Sequence, residues 1–573
     1  MREAALPVAP ARGPRLAGGA LVAAGVALAA ALAVLVVYPS LMLVAGSLLA
    51  DGRLTLAHYW RTFQDRAAVA TLGNSLVVST AATVLGTALG TVLAWLVTRT
   101  DLPGRRHWDT LLLLPYMIPP FIGAIAWVYL LGPAGYLNQL WMAATGSPDP
   151  LVVIYGPAGI VFALTLYGYP IVYATMRGVL QQMNPALEEA ARIAGATPAR
   201  LLRDVTVPLM LPGVLAGALL LFMSSLANFG IPAVIGFPAR YFVLPTRIYR
   251  TILNFDLPNN LQIAAALSMW LVAIGVVLLF LQRRLLRLSR FTVVTGQATA
   301  PSRVELGRWA TPVAAVLGAF VLVGAVLPVG AMLLTATIRA YGLPPALENL
   351  TLQHFETVVL GIPKLPRAVA NSLALASGAA TIIVVLALGI AYLIARLRVR
   401  GGHVLDVLVT IPYAVPGTVV ALAMILAWIR PIPILGVHLY NTIWIILLAY
   451  VARFLIFGVR TLMAGLSQVH DSLEEAARIS GAGGARAFRE ITLPIIRPSI
   501  AAGWFLVFVP AVTELTLSIL LFSVGNETLG VVVYGLHEEG KFALAAAAAF
   551  LATTMLVGIH LIARGLTQRE LVT

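Results

Sequence analysis

The sequence predicts an all-α integral membrane protein with about twelve transmembrane helices, arranged as two parallel six-helix repeats. Three observations lead to this fold class. First, 60% of the 573 residues are hydrophobic and only 11% are charged, whereas soluble domains carry about 25% charged residues. Second, apolar runs long enough to cross a bilayer core of about 30 Å follow one another along the chain. Third, short motifs of the first half recur in the second half in the same order.

The apolar runs give the expected helices in chain order. The first run, residues 16–50, contains no charged residue. A signal-peptide core has about 7–15 apolar residues, so a run of this length predicts a helix that the protein retains. Five more helices are expected in the first half and six in the second, near residues 70–98, 108–132, 155–177, 209–236, 261–282, 310–337, 368–395, 404–429, 440–466, 495–522 and 542–563.

The basic residues indicate the sidedness of these helices. Most of the 38 lysine and arginine residues lie in alternate loops between the runs, and Arg453 alone lies within a run. This distribution follows the positive-inside rule and predicts that both termini face the cytoplasm. Because the basic residues occupy short turns, the net charge of +15 indicates contact with a lipid bilayer and no nucleic-acid partner.

The repeat divides the chain into two halves. Asn74-Ser75-Leu76 recurs as Asn371-Ser372-Leu373, and the segment from Glu188 to Ile193 recurs from Glu474 to Ile479. Both termini lie on the same side and each half has an even number of helices, so the halves are parallel repeats related by an axis along the membrane normal. We expect a first half at residues 1–290, a cytoplasmic linker at 291–308 and a second half at 309–573.

One cytoplasmic loop in each half is longer than a simple turn, at residues 184–208 and 470–494. In the first loop, Asn184 followed by Pro185 predicts the start of a short helix, because asparagine caps helices and proline suits their first position. Gly195 is expected to end this helix. In the second loop we expect Asp471 to be the cap and Gly481 the stop. Small alanines on each helix would allow another protein surface to approach closely.

Both loops resemble the EAA loop of binding-protein-dependent ABC importer permeases, a family with the type I importer fold. The matching residues are Glu189, Ala190, Ala191, Gly195 and Pro208 in the first loop and Glu475, Ala476, Ala477, Gly481 and Pro494 in the second. The first loop departs from the family pattern, with Val205 and Val207 in place of isoleucine and leucine. The resemblance implies coupling helices that dock two copies of a cytoplasmic ABC ATPase subunit, an extracytoplasmic substrate-binding protein, and a location in the bacterial inner membrane.

The chain itself lacks the residues of a nucleotide hydrolase. Its only lysines are Lys364 and Lys541, and neither lies in the G-x-x-x-x-G-K-[ST] pattern of a phosphate-binding loop. No catalytic motif or histidine pair with metal-ligand spacing occurs either, and cysteine is absent. We therefore expect no enzymatic activity and no cofactor in this chain, with ATP and magnesium bound by the partner ATPase.

The substrate is less closely defined. The fused form resembles bacterial ferric-iron importer permeases, while related permeases carry thiamine, phosphonate, polyamine or sulfate. Glu514 lies within the eleventh apolar run, and the repeat places it opposite Asn228. Ionisable groups at membrane depth are often functional, so Asn228, Arg453 and Glu514 are candidate residues of the translocation pathway. Other readings remain open: Glu514 forms hydrogen bonds only with a neighbouring helix, and Arg453 is either its ion-pair partner or a group that attracts an anionic substrate. No set of metal ligands is identified.

A secondary transporter of the major facilitator type is the main rival, since it also has twelve helices in two parallel halves. The loop from Arg99 to Arg106 resembles that family's basic loop between its second and third helices, but the equivalent loop from Arg396 to Gly402 lacks the aspartate. A secondary carrier has no use for paired EAA loops. A membrane scaffold without transport activity would leave the polar residues at membrane depth unexplained.

Overall fold

The computed structural model describes residues 18–50, 52–288, 303–399, 401–431, 436 and 438–570. In this part of the chain, ten helices are long and apolar enough to cross a membrane, and two bent helix pairs raise the number to twelve if each pair is one span. The predicted all-α membrane fold is therefore confirmed. Residues 291–302 of the expected linker 291–308 lie outside the described residues.

The first half contains six spans: α1 (Ala23–Leu48), α2 (Arg66–Arg99), α3 (Pro120–Thr145), α4 (Pro157–Gln182), α5 (Ala199–Leu226) and α6 (Asn260–Gln282). A small antiparallel hairpin follows α1, with β1 at Leu49–Ala50 and β2 at Arg53–Leu54. Shorter helices connect the spans, at Ala57–Gln64, Arg105–Leu111, Leu114–Met117, Pro185–Ile193, Gly230–Gly236 and Leu244–Ile252.

The second half repeats this order with α7 (Gly307–Thr337), α8 (Lys364–Arg396), the bent pair α9 (Gly402–Ala414 and Gly417–Trp428), α10 (Ile443–Ser467), the bent pair α11 (Gly484–Ile495 and Arg497–Val512) and α12 (Phe542–Ile562). The shorter helices are Leu347–Asn349, Gln353–Glu356, Asp471–Ile479, Ser518–Leu521 and Leu529–Glu538.

The serine of the recurring Asn-Ser pair makes the same contact in both halves. Ser75 on α2 accepts a hydrogen bond from the backbone N–H of Leu244 at 2.7 Å, where a short helix begins. Ser372 on α8 does the same for Leu529 at 2.8 Å. The first N–H groups of a helix have no partner within the helix. Each serine therefore ties a short helix to the second span of its half.

The two halves interlock through their first spans. Tyr38–Leu48, the later part of α1, packs against Gly417–Trp428 of α9, and Leu327–Thr337 of α7 packs against Pro120–Leu131 of α3. Each first span thus lies on the third span of the other half. This reciprocal packing is what a two-fold axis along the membrane normal requires.

Four expected spans are not continuous helices. The run near 108–132 is divided among the helices Arg105–Leu111, Leu114–Met117 and Pro120–Leu131. The run near 404–429 bends by 108° between the two parts of α9, because Val415 precedes Pro416 and a residue before proline is disfavoured in the helical region. The run near 209–236 breaks after Leu226, and the run near 495–522 ends as a long helix at Val512. In both, a short helix follows the break, at Gly230–Gly236 and Ser518–Leu521.

Candidate coupling loops and translocation pathway

The first EAA loop forms the expected short helix, Pro185–Ile193. The Asn184 side chain caps it by accepting a hydrogen bond from the Ala186 N–H at 2.9 Å. Gly195 has a φ of +83°, a left-handed conformation that glycine adopts without strain. There the chain folds back, and the Ala196 N–H donates to the Ala191 carbonyl at 3.0 Å. The sequence signals for both ends of this helix are thus met by the expected contacts.

The second loop forms the equivalent helix Asp471–Ile479, and Gly481 turns the chain with a φ of +89°. The expected cap, Asp471, is wrong: it is the first helical residue, and the side chain of His470 caps the helix by accepting from the Ser472 N–H at 3.3 Å. Asp471 is instead ion-paired with Arg396 at the end of α8. The Asp471 carboxylate, which the sequence analysis expected to cap the helix, therefore pairs with an arginine of a neighbouring helix.

Each loop helix exposes an apolar side chain beside its acidic residue. Ile193 is 88% exposed and Ile479 is 89% exposed. Glu189 and Glu475, the glutamates of the EAA motif, are exposed next to them. The two loops thus present a large apolar side chain at equivalent positions.

Asn228 and Glu514 have equivalent contacts at the breaks after α5 and α11. The Asn228 side chain accepts a hydrogen bond from the Ile231 N–H at 3.0 Å. The Glu514 carboxylate accepts from the N–H groups of Leu517, at 2.9 Å, and of Ser518, at 3.1 Å. Both residues thus cap the short helix that follows, and both are half-buried. Glu514 lies in the break and not within a continuous span, which corrects its expected position.

The breaks of the two halves lie close to each other. A Cβ atom on Gly230 would lie 2.6 Å from the Phe121 Cβ and 3.7 Å from the Leu515 Cδ2. Gly230 follows Asn228 in the first half and Leu515 follows Glu514 in the second. The two capped breaks therefore lie within contact distance of one another where the two halves meet.

Arg453 on α10 contacts the bend of α9. Its guanidinium donates to the backbone carbonyls of Pro412, at 3.1 Å, and Val415. Carbonyls at the end of a helix have no partner within the helix, and a cation there is favourable. No carboxylate lies within ion-pair distance of Arg453 among the described residues, so the reading in which Arg453 pairs with Glu514 is not met. Arg453 instead stabilises the 108° bend.

Two arginines that the sequence analysis did not propose as site residues, Arg99 and Arg396, are buried. The Arg99 and Arg396 side chains are 3% and 8% exposed, and each is ion-paired with the first glutamate of an EAA loop, Glu188 or Glu474. The sequence offered one indication that these two arginines share a role, which is their equivalent positions at the ends of α2 and α8. Among the described residues, no group of three or more His, Cys, Asp or Glu side chains is placed to hold a metal ion.

Comparison with known proteins identifies the class. Residues 86–290 and 383–569 each match the family described as binding-protein-dependent transport system inner membrane component. These segments cover more than half of the chain, and the chain belongs to this family. It is a permease with two fused halves, of the ATP-binding-cassette importer class, and it is a multi-pass protein of the inner membrane.

The chain is similar to several permeases of known name. It is 26% identical over 520 residues to the ferric transport system permease protein FbpB of Actinobacillus pleuropneumoniae, covering 89% of this chain and 73% of that protein. It is 28% identical to the sulfate transport system permease protein CysT of Salmonella typhimurium, over 40% of this chain and 80% of that protein. It is 29% identical to the molybdenum transport system permease protein ModB of Escherichia coli K12, over 38% of this chain and 92% of that protein.

Among solved structures, the chain is similar to a chain of the bacterial alginate ABC transporter crystallised in complex with an alginate pentasaccharide-bound periplasmic protein. The two are 19% identical with a TM-score of 0.38, over 46% of this chain and 96% of that one.

Proposed function

We propose that this permease carries ferric iron across the inner membrane, receiving it from an extracytoplasmic binding protein. Two copies of a cytoplasmic ATPase subunit dock on the EAA loops and bind the ATP and magnesium. Both termini then face the cytoplasm, as the distribution of arginines predicts. ATP binding draws the two loops together and opens the pathway outward, and hydrolysis resets it.

One observation carries the assignment of iron. The relatives named for ferric transport match the chain through both halves, over 89% and 86% of its length. The relatives named for sulfate and molybdenum match only one half, over 40% and 38%. The fused architecture is thus shared with the iron permeases.

An oxyanion is the second candidate substrate, because the single-half sulfate and molybdenum relatives are slightly more identical to this chain where they align. Purified complex in liposomes, supplied with its ATPase and binding protein, separates the two. Uptake of ferric iron that depends on the binding protein and ATP supports the proposal. Uptake of sulfate or molybdate without uptake of iron replaces iron with an oxyanion and leaves the importer class unchanged.

Docking of the ATPase on the loops rests on their exposed apolar residues. Ile193 and Ile479 contact no core, so replacing both by aspartate should leave the fold intact while placing charge in the interface. We expect the double variant Ile193→Asp/Ile479→Asp to reach the membrane and to lose co-purification with the ATPase. The matched control is Leu54→Asp, which alters a side chain that is 81% exposed on β2. Wild-type co-purification by the double variant would contradict docking at these loops.

The pathway role of Glu514 can be separated from its role as a cap. A glutamine retains an oxygen that can accept hydrogen bonds from Leu517 and Ser518 but removes the charge. A carboxylate attracts a hard cation through its oxygen atoms. We therefore expect Glu514→Gln to lower iron uptake while complex stability is retained, and Asn228→Ala to lower stability by about 1 kcal/mol through loss of the cap. Unchanged iron uptake by Glu514→Gln would assign Glu514 to the cap alone.

A further inference from the structure

A buried carboxylate lies on the inner side of each EAA helix, facing away from the exposed EAA glutamate. In the first half this residue is Glu188, whose side chain is 5% exposed. It is ion-paired with Arg99, the last residue of α2. It also accepts a hydrogen bond from the Thr206 hydroxyl at 3.0 Å. One carboxylate therefore joins the EAA helix to the second span and to the first turns of the fifth span, α5.

The second half repeats the arrangement. Glu474 lies 3.8 Å from Arg396 at the end of α8 and accepts a hydrogen bond from the Thr492 hydroxyl. The two threonines occupy the same place in the chain, each as the last residue of a five-residue π-helical turn, Leu202–Thr206 and Phe488–Thr492. The equivalent turns place the two threonine hydroxyls at the same position relative to their glutamates.

Burial makes these contacts stiff. Removing one partner of a buried ion pair leaves an uncompensated charge in a medium that solvates it poorly, so the pair resists separation. A displacement of the EAA helix therefore carries the arginine and the threonine with it. The exposed face of the same helix, with Glu189 in the first half and Glu475 in the second, remains available to a partner.

We propose that Glu188 and Glu474 are positioning residues that oblige the second and fifth spans of each half to move with the EAA helix. This inference rests on the proposed docking of the ATPase at those helices. The ATPase displaces the helix from outside, and the buried carboxylate passes that displacement to α2 and α5 in the first half and to α8 and α11 in the second.

The two buried ion pairs, Glu188–Arg99 and Glu474–Arg396, differ in the additional contacts of their arginines. Arg396 also pairs with Asp471 and donates to the Val469 carbonyl at 2.8 Å. The Arg99 guanidinium has no second carboxylate as an ion-pair partner among the described residues. The backbone carbonyl of Arg99 accepts a hydrogen bond from the Val304 N–H at 2.8 Å, where the end of the linker runs beside the end of α2. Loss of the Glu188 charge therefore leaves Arg99 without an acidic partner, whereas loss of the Glu474 charge leaves Arg396 with one.

The test is the number of ATP molecules hydrolysed per substrate ion taken up by the complex in liposomes. Glu188→Gln removes the charge at constant size. We expect it to retain co-purification with the ATPase and to raise the ATP-to-substrate ratio by about tenfold or more. Glu474→Gln is expected to raise it less. The exchange variant Arg99→Glu/Glu188→Arg should restore part of the coupling, which a change of shape alone would not do.

A wild-type ratio in Glu188→Gln and Glu474→Gln would overturn the inference, as would a proportional loss of hydrolysis and uptake that leaves the ratio unchanged. If Glu188→Gln is not recovered from membranes, Glu474→Gln, which retains the Asp471 contact, serves for the same measurement. Failure of the wild-type chain to bind the ATPase would instead refute the proposed function, so the two failures are distinguishable.

Discussion

Gly195 offers a test of the EAA helix in which the backbone alone is perturbed. A Cβ atom at this position would meet no atom of the described residues within 4 Å, so there is open space at the start of a side chain. The φ of +83° is the obstacle, because a residue with a Cβ pays about 1–2 kcal/mol for the left-handed region. A loss of this size changes an equilibrium by about 5–30-fold. Gly195→Val should therefore unfold the helix end and lower uptake about tenfold, while membrane insertion is retained.

Two control variants isolate the cause. Asparagine tolerates the left-handed region, so Gly195→Asn should retain most of the uptake. Gly178 on α4 also has open space around its Cβ position but has no positive φ, so Gly178→Val should have a small effect. Uptake in proteoliposomes and the amount of bound ATPase are measured for all three variants. Equal uptake by Gly195→Val and Gly195→Asn would refute the role assigned to the helix end, and Gly481 in the second loop permits the same comparison.

Three further predictions concern stability. Arg453→Gln should lower the melting temperature in detergent, because hydrogen bonds from a charged group contribute about 1.5–3 kcal/mol each; an unchanged melting temperature would contradict its role at the bend of α9. Gly90→Val should destabilise the α2–α4 contact by about 1–3 kcal/mol or more, because a Cβ atom there would lie 2.8 Å from a backbone oxygen of α4. The control Gly73→Val places its Cβ in open space and should cause a smaller loss of stability in the same denaturation assay. Burial lowers the pKa of His537 to about 4. The folded protein holds this imidazole neutral, so its contribution to the free energy of unfolding is complete above about pH 6.5. Up to about 3 kcal/mol of that free energy is lost as the pH falls towards 4. His537→Gln should therefore reduce the acid sensitivity of unfolding, and an unchanged pH profile of unfolding would refute this.

Much of the fold was predictable because apolar length and internal repetition are strong signals in a membrane protein. The twelve runs, the repeat and the two EAA helices follow from local patterns of residues. The breaks after Leu226 and Val512 were missed because each lies within an apolar run, where a single polar residue such as Glu514 does not distinguish a cap from a residue within a helix. Pro416 did carry a signal for the bend of α9, through its effect on the preceding residue.

The site was only partly predictable. The EAA helices were placed by their caps and glycines, but the sequence did not distinguish the two glutamates of each motif, of which Glu188 is buried and Glu189 exposed. Arg99 was counted only among the basic residues that predict the sidedness of the helices. The positive-inside rule counts charges by loop and carries no information about the partner of each charge. Asp471 was assigned to the cap because cap preference is local, whereas the arginine that captures its carboxylate belongs to another span.

Substrate-stimulated ATP hydrolysis in liposomes tests the central claim most directly. The chain is reconstituted with its ATPase and binding protein, and hydrolysis is measured with ferric iron, sulfate, molybdate, thiamine, phosphonate and polyamine in turn. We expect stimulation by ferric iron, dependent on the binding protein, and none by the others. A chain that binds no ATPase and transports its substrate on an ion gradient would contradict the account.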